Sequence, residues 1–365
     1  ADEWWREWRP TLWITFSCFS AYLCLYFIKV PVFAGTFKGQ TAFNGRLELK
    51  TAFIICQVLG YALGKFPAVR YAPMLQRHQR KPSLLTLGAL AAASLLLLPT
   101  ENAACQMVGV GLSGFFLSAQ WGILCMYMEG RQHTEVLISL VSLSYVAGSG
   151  IARSGAVFLI NKGFTEVWTP CFLAGLSYVL FAVFLTLLDQ SPDPSPSDTR
   201  SRQRREPADP KAVWSFMARF GPGIALVMLS YVLIGACRLF REYFSVELWQ
   251  EIYGFEEVDP SIYAQSELPV ALCSLAAMAF LSRIKRHKVA FFVMISTMIG
   301  GSLTAGAATL GKQLGVVGGA TWIIVVGAGL FVALVPPGAM LYDRLIAASG
   351  SQVSFVKPQS DETIV

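Results

Sequence analysis

Residues 189–213 read DQSPDPSPSDTRSRQRREPADPKAV. Proline, serine, aspartate and arginine dominate, no apolar period runs through them, and such composition makes a flexible or extended linker. On both sides the chain turns strongly apolar. Over all 365 residues it is 54% hydrophobic, 13% aromatic and only 14% charged, against roughly a quarter charged in an average soluble domain. Mean hydropathy is +0.52. So little charge cannot cover a water-facing surface, which excludes an ordinary soluble enzyme, a disordered chain and a secreted disulfide scaffold. The sequence is that of a membrane protein.

A helix crosses the hydrocarbon core in about 20 mostly apolar residues. Ten runs of that kind occur: 11–29, 48–66, 83–99, 103–128, 136–160 and 168–188 before the linker, and 214–237, 268–284, 289–310 and 320–342 after it. The fourth is long enough to bend near Gly109, Gly111 and Gly114. Those glycines match G-x-G-x-x-G, but no strand precedes them, so they are not a nucleotide site. No period-two alternation marks a barrel. The expectation is an all-α polytopic protein with a 6 + 4 arrangement. It has an interfacial segment 1–10, a six-helix bundle 11–188, a linker 189–213 on the cytoplasm-like side, a four-helix bundle 214–348 and a polar tail 349–365.

The charges sort by side. The N-terminus and the loops after even-numbered spans hold 19 lysines and arginines, and the opposite loops hold 8. That excess places the N-terminus on the cytoplasm-like face of a plasma or organellar membrane. The net charge of +6 is therefore topology, with no nucleic-acid partner implied. Residues 1–10 (ADEWWREWRP) suit an aromatic belt and lack the basic start and cleavage site of a secretory signal. They are expected to follow any processing. The eight cysteines form no CxxC pair and read as small core hydrophobes. Three histidines are too few for a metal or haem centre. No cofactor and no catalytic constellation is expected, so the chain reads as a non-enzyme.

A six-helix unit, a polar central loop and basic loops after spans two and eight form the layout of a major facilitator transporter. Gly64, Arg70, Arg77, Arg80 and Lys81 echo its two–three loop signature, without the acid after Gly64. The chain resembles a family of major-facilitator-like membrane proteins of unassigned function. The matching pieces are 31–37 (PVFAGTF), 57–66 (QVLGYALGKF), 121–135 (WGILCMYMEGRQHTE), 147–155 (AGSGIARSG), 168–170, 238–249 (RLFREYFSVELW), 267–271 (ELPVA) and 341–348 (LYDRLIAA). The resemblance implies two further spans after 348, where this sequence has a polar tail. The expectation is a truncated chain or one that lacks its last two helices, leaving faces that lipid or partner subunits cover.

Arg153 is the most informative residue, because a charge inside span five is costly enough to mark function. Ser142, Tyr145, Ser149 and Arg153 follow at i, i+3, i+7 and i+11 and share one face. That face suits an anionic solute held by charge-assisted hydrogen bonds. The arginine equally suits pairing with a carboxylate to lock two helices, or snorkelling to a headgroup. Gln57 and Gln120 are polar groups at membrane depth, available to a solute or to a neighbouring helix. The small residues of span five fit a tight helix crossing. Glu129, Arg131 and Glu135, around the turn after span four, are candidates for coupling or for a structural salt bridge. Pro336 and Pro337 are expected to kink span ten and suit a gate.

Arg238, Arg241, Glu242, Phe244 and Trp249 belong to an amphipathic extension of span seven. It reads as a docking helix or lid, or as a helix resting on its own bundle. Two functional readings follow: a secondary carrier moving a small solute by alternating access, or a non-transporting subunit of a larger membrane complex derived from a carrier.

Overall fold

The computed structural model describes residues 2–128, 134–192, 210–254, 257–284 and 286–349. Glu129 and Arg131 lie outside them, as does most of the 189–213 linker. Apolar runs of about 20 residues satisfy their own backbone only as helices, and helices dominate. In chain order they are α1 (Asp2–Lys29), α2 (Leu49–Tyr71), α3 (Arg77–Ser94), α4 (Ala103–Leu117), α5 (Gln120–Cys125), α6 (Thr134–Asn161) and α7 (Trp168–Asp189). After the linker come α8 (Pro210–Tyr243), α9 (Ser245–Tyr253), α10 (Ser261–Ser282), α11 (His287–Gln313) and α12 (Gly319–Ser349). A two-residue hairpin, β1 (Thr41–Ala42) with β2 (Leu47–Glu48), pairs antiparallel between α1 and α2. Phe43, Asn44 and Gly45 all take positive φ to turn it.

Among the described residues, eight helices are long and apolar enough to span a bilayer. Two of the ten sequence-read spans fall outside that set. Run 83–99 belongs to a helix that starts earlier, among the charges at Arg77, and ends at Ser94 in a 3₁₀ turn, Leu95–Leu97. Run 320–342 falls in α12, whose apolar part among the searched residues is the shorter Gly319–Val335. Helix α12 runs unbroken through Pro336 and Pro337 in its backbone assignment.

The chain forms two compact units. The first comprises Ala1–Ser195 with Tyr243–Leu268, and the second Pro196–Glu242 with Pro269–Val365. In the first, α1 packs on α6 and α7, α2 on α4, and α3 on α4 and α7. The fourth run does not bend at its glycines. It breaks later, at Ser118 and Ala119, between α4 and α5. Gly60 and Gly114 instead let α2 and α4 touch backbone to backbone. A Cβ on Gly114 would stand 2.5 Å from the Gln57 carbonyl oxygen, and one on Gly60 would overlap the Gly111 carbonyl. Small residues are how membrane helices approach this closely. In the second unit α11 and α12 pack in the same way, and a Cβ on Gly329 would stand 2.5 Å from the Gly301 carbonyl oxygen.

Candidate functional site

The first unit holds a cluster of buried charge built from both ends of its sequence. The β1–β2 hairpin delivers the chain into α2 so that its second residue, Lys50, turns inward and is 3% exposed. Its ammonium donates to the Phe33 carbonyl at 3.0 Å and to the Glu247 carboxylate, with which it forms an ion pair. Phe33 closes the 3₁₀ turn Val30–Phe33 that ends α1. The next residues are held by Glu166, which accepts from the Thr36 N–H at 2.7 Å, the Phe37 N–H at 2.9 Å and the Thr36 hydroxyl at 3.2 Å. Gly35 makes room, since a Cβ there would meet the Phe37 ring at 2.9 Å and the Glu166 Cβ at 3.0 Å. The stretch 31–37 is thus a carboxylate-bound turn. Glu166→Gln is expected to lower stability by about 2 kcal/mol, the worth of hydrogen bonds to a charged group, read by thermal unfolding in detergent.

Arg153 is 1% exposed, deep in α6. It lies within electrostatic reach of Lys50 and Tyr263. The first turns of α10 cross α6 beside it: the Ala264 N–H donates to the Ser154 hydroxyl at 3.1 Å. A Cβ on Gly150 would stand 2.5 Å from the Tyr263 carbonyl oxygen and 2.8 Å from the Glu267 Cγ. Tyr263 and Glu267 are buried there too. Gly148 faces Leu23 and Tyr26 of α1, and Gly155 faces Phe27. The small residues of span five are therefore two helix crossings, as the pattern suggests. Arg153 sits where they meet.

The other candidates separate. The Ser142 and Ser149 hydroxyls donate within α6, to the Ile138 and Val146 carbonyls at 2.7 and 3.0 Å. Tyr145 and Glu135 lie on the same helix. The Gln120 amide donates to the Leu84 carbonyl at 3.2 Å, a contact between α5 and α3. Gln57 differs: it is 2% exposed, and its amide nitrogen has no hydrogen-bond partner among the described residues. The buried hydroxyls of Ser17 on α1 and Ser113 on α4 share that state, and neither stands out in sequence. Among the described residues no group of His, Cys, Asp and Glu is placed to hold a metal.

The stretch read as one amphipathic extension of span seven is not continuous with that span. The helix breaks at Phe244, where the backbone leaves the helical region, and restarts as α9. Its apolar side is covered, with Trp249 2% exposed and Val246 buried. The Tyr243 ring packs tilted against Phe33, with centroids 4.4 Å apart, and the Lys29 ammonium lies 5.3 Å from the Tyr243 ring centroid. Arg241 and Glu242 are buried as well. The Arg241 guanidinium donates to the Ile323 carbonyl at 3.0 Å over Gly327, and Arg238 pairs with Glu242 at 2.5 Å. The stretch 238–249 therefore belongs to the second unit up to Glu242 and to the first from Tyr243. No free docking face is left at Trp249.

A second polar cluster gathers the basic residues of the two–three loop. Arg77 donates to the Ser191 carbonyl, Arg80 to the Met126 carbonyl at 2.8 Å, and Lys81 lies 4.0 Å from the Asp189 carboxylate. The Tyr127 hydroxyl reaches the same carboxylate at 3.4 Å. Burial, and then the Asp189 charge, push the Tyr127 phenol above its ordinary range, so it stays protonated. Asp189 is thus the carboxylate that Lys81 and Tyr127 share. Elsewhere, hydrogen bonds from the Ser261 backbone N–H and hydroxyl hold the exposed Asp259 carboxyl below its usual value at the start of α10.

The sequence pattern described as "Family of unknown function (DUF5690)" matches residues 31–361. A search of curated proteins finds no match. Solved structures similar to the chain are transporters. A D-xylose-proton symporter is 16% identical over 94% of this chain and 87% of its own, with a TM-score of 0.57. A bacterial homolog of the human lysosomal transporter Spinster, inward-facing and unoccupied, is 14% identical over 95% and 76%, with a TM-score of 0.55. FucP, a Major Facilitator Superfamily transporter in the outward conformation, is 14% identical over 94% and 90%, with a TM-score of 0.50. At such identity the likeness establishes a fold: a multi-pass helical membrane architecture of the major facilitator kind.

Proposed function

The chain belongs to the DUF5690 family of unknown function, and from that membership and its transporter fold we propose that it is a secondary carrier, moving a small anionic solute by alternating access. The observation that carries the reading is the Lys50–Glu247 pair. Charges within an apolar bundle are expensive and are kept where they act. Glu247 rides on α9, a nine-residue helix that follows the break at Phe244, so it can leave Lys50 without unwinding a long span. When it does, Lys50 needs a counter-charge, and the carboxylate or phosphate of a solute supplies one beside Arg153. The unpartnered Gln57 amide adds a hydrogen-bond donor in the same unit. Glu129, Arg131 and Glu135 stay candidates for coupling, and Pro336 and Pro337 for gating.

Uptake into proteoliposomes tests the reading, with carboxylates and phosphate esters set against neutral sugars. At least one anion is expected to accumulate while sugars do not. Arg153→Ala is expected to reduce that uptake by about 10- to 100-fold, the loss of a hydrogen bond to a charged group. Uptake that favours sugars would exclude the anionic solute, and no uptake by well-folded protein of either class would exclude the carrier.

A further inference from the structure

We propose that the groove at the C-terminal end of α2 seats the headgroup of an anionic phospholipid. The groove holds about 610 Å³ and is lined by Phe66, Pro67, Arg70, Tyr71 and Met74. Arg70 is the one charge in an otherwise apolar and aromatic lining. Phe66 and Met74 are each 75% exposed, far more than a packed side chain. The Tyr71 hydroxyl is tied to the Ser83 hydroxyl of α3 at 2.8 Å, which fixes that wall.

Three features select the occupant. Position comes first: Leu49–Met74 is one apolar span, so a groove at its last turns lies at headgroup level. Shape is the second. Leu59, Leu63 and Phe66 are exposed at i, i+4 and i+7, an apolar strip about 10 Å long leading to Arg70, along which an acyl chain can lie. Charge is the third. Between Lys65 and Thr100 there is no aspartate or glutamate, but there are Lys65, Arg70, Arg77, Arg80 and Lys81. Arg77 and Arg80 donate to backbone carbonyls, Lys81 lies 4.0 Å from the Asp189 carboxylate, and Lys65 lies over the Tyr61 ring at 4.9 Å. Arg70 has no hydrogen bond or ion pair among the described residues. A guanidinium matches a phosphodiester in a bidentate fork, and a lipid with net negative charge answers the excess of cations, as a zwitterionic one does not.

The test is native mass spectrometry of the whole chain in detergent, titrated with phosphatidylglycerol, phosphatidylcholine or glycerol 3-phosphate. Phosphatidylglycerol is expected to bind at about tenfold lower concentration than phosphatidylcholine, and glycerol 3-phosphate not to be retained, since it lacks the chain that uses the apolar strip. Arg70→Ala should abolish the preference, while Arg219→Ala, at an exposed cation of the second unit, should leave it intact. Equal retention of the two lipids, or a preference surviving in Arg70→Ala, overturns the proposal. Glycerol 3-phosphate binding as well as the lipid makes this a free-phosphate site and overturns it too. A photo-crosslinking benzophenone side chain at Phe66, illuminated in native membranes, should gain the mass of a lipid. A crosslink to a second copy or to another protein segment gives the groove a different occupant. All three substituted side chains are exposed, so none of the changes threatens folding.

Discussion

Glu247→Ala is expected to destabilise the protein by about 3 kcal/mol, because it strands Lys50 as a buried, uncompensated cation. Lys50 is 3% exposed, and the Phe33 carbonyl remains as a neutral acceptor. A carbonyl dipole does not replace a carboxylate against the cost of desolvating an ammonium. Arg153 lies within reach of Lys50 and raises that cost by repulsion. Lys50→Ala combined with Glu247→Ala should recover much of the loss, since the double variant leaves neither charge unpaired. Thermal unfolding of the four proteins in one detergent gives the cycle. A double variant no more stable than Glu247→Ala would mean the pair is not what holds α9. Because the pair is also proposed as a clasp, Glu247→Ala should raise the rate at which a thiol reagent reaches a cysteine placed at Ser154.

Gly150→Leu is expected to cost about 3 kcal/mol or more and to part α6 from the first turns of α10. The added Cβ would lie 2.5 Å from the Tyr263 carbonyl oxygen and 2.8 Å from the Glu267 Cγ. The nearer atom is backbone and cannot rotate away. The crossing must widen, so the Ala264–Ser154 hydrogen bond is lost along with the contacts. Gly175→Ala on α7 is the matched control: no atom stands within 4 Å of its Cβ position, and it should be neutral or stabilising by up to about 1 kcal/mol. Hydrogen exchange at residues 261–268 reads the effect locally. Unchanged protection there in Gly150→Leu would contradict the crossing.

Much of the fold is legible in composition and period. Long apolar runs can only be helices in lipid, and the small residues around Arg153 announce close crossings. The stretch 238–249 shows where such reading stops. Its period correctly implies a helix with one apolar side, but period says nothing about what covers that side. The break at Phe244 carries no proline or glycine to signal it. Gly109, Gly111 and Gly114 suggest a bend for the same reason: a glycine's freedom is visible in sequence, and the partner backbone that makes use of it is not.

The candidate site divides along that line. By itself the sequence determined that Arg153 is a charge in a membrane span, that Gln57 and Gln120 are polar at depth, and that the chain is a multi-pass helical membrane protein. Those are local properties of residue type, spacing and hydropathy. The tertiary structure alone decided that Glu247 meets Lys50 across 197 positions and that Glu166 binds the Thr36–Phe37 turn across about 130. It also decided that the Gln120 amide nitrogen finds the Leu84 carbonyl while the Gln57 amide nitrogen finds no partner among the described residues. The reason is physical: a buried charge requires a counter-charge, yet the requirement is met by whichever carboxylate folding brings within reach, and one chain's spacing does not encode that distance.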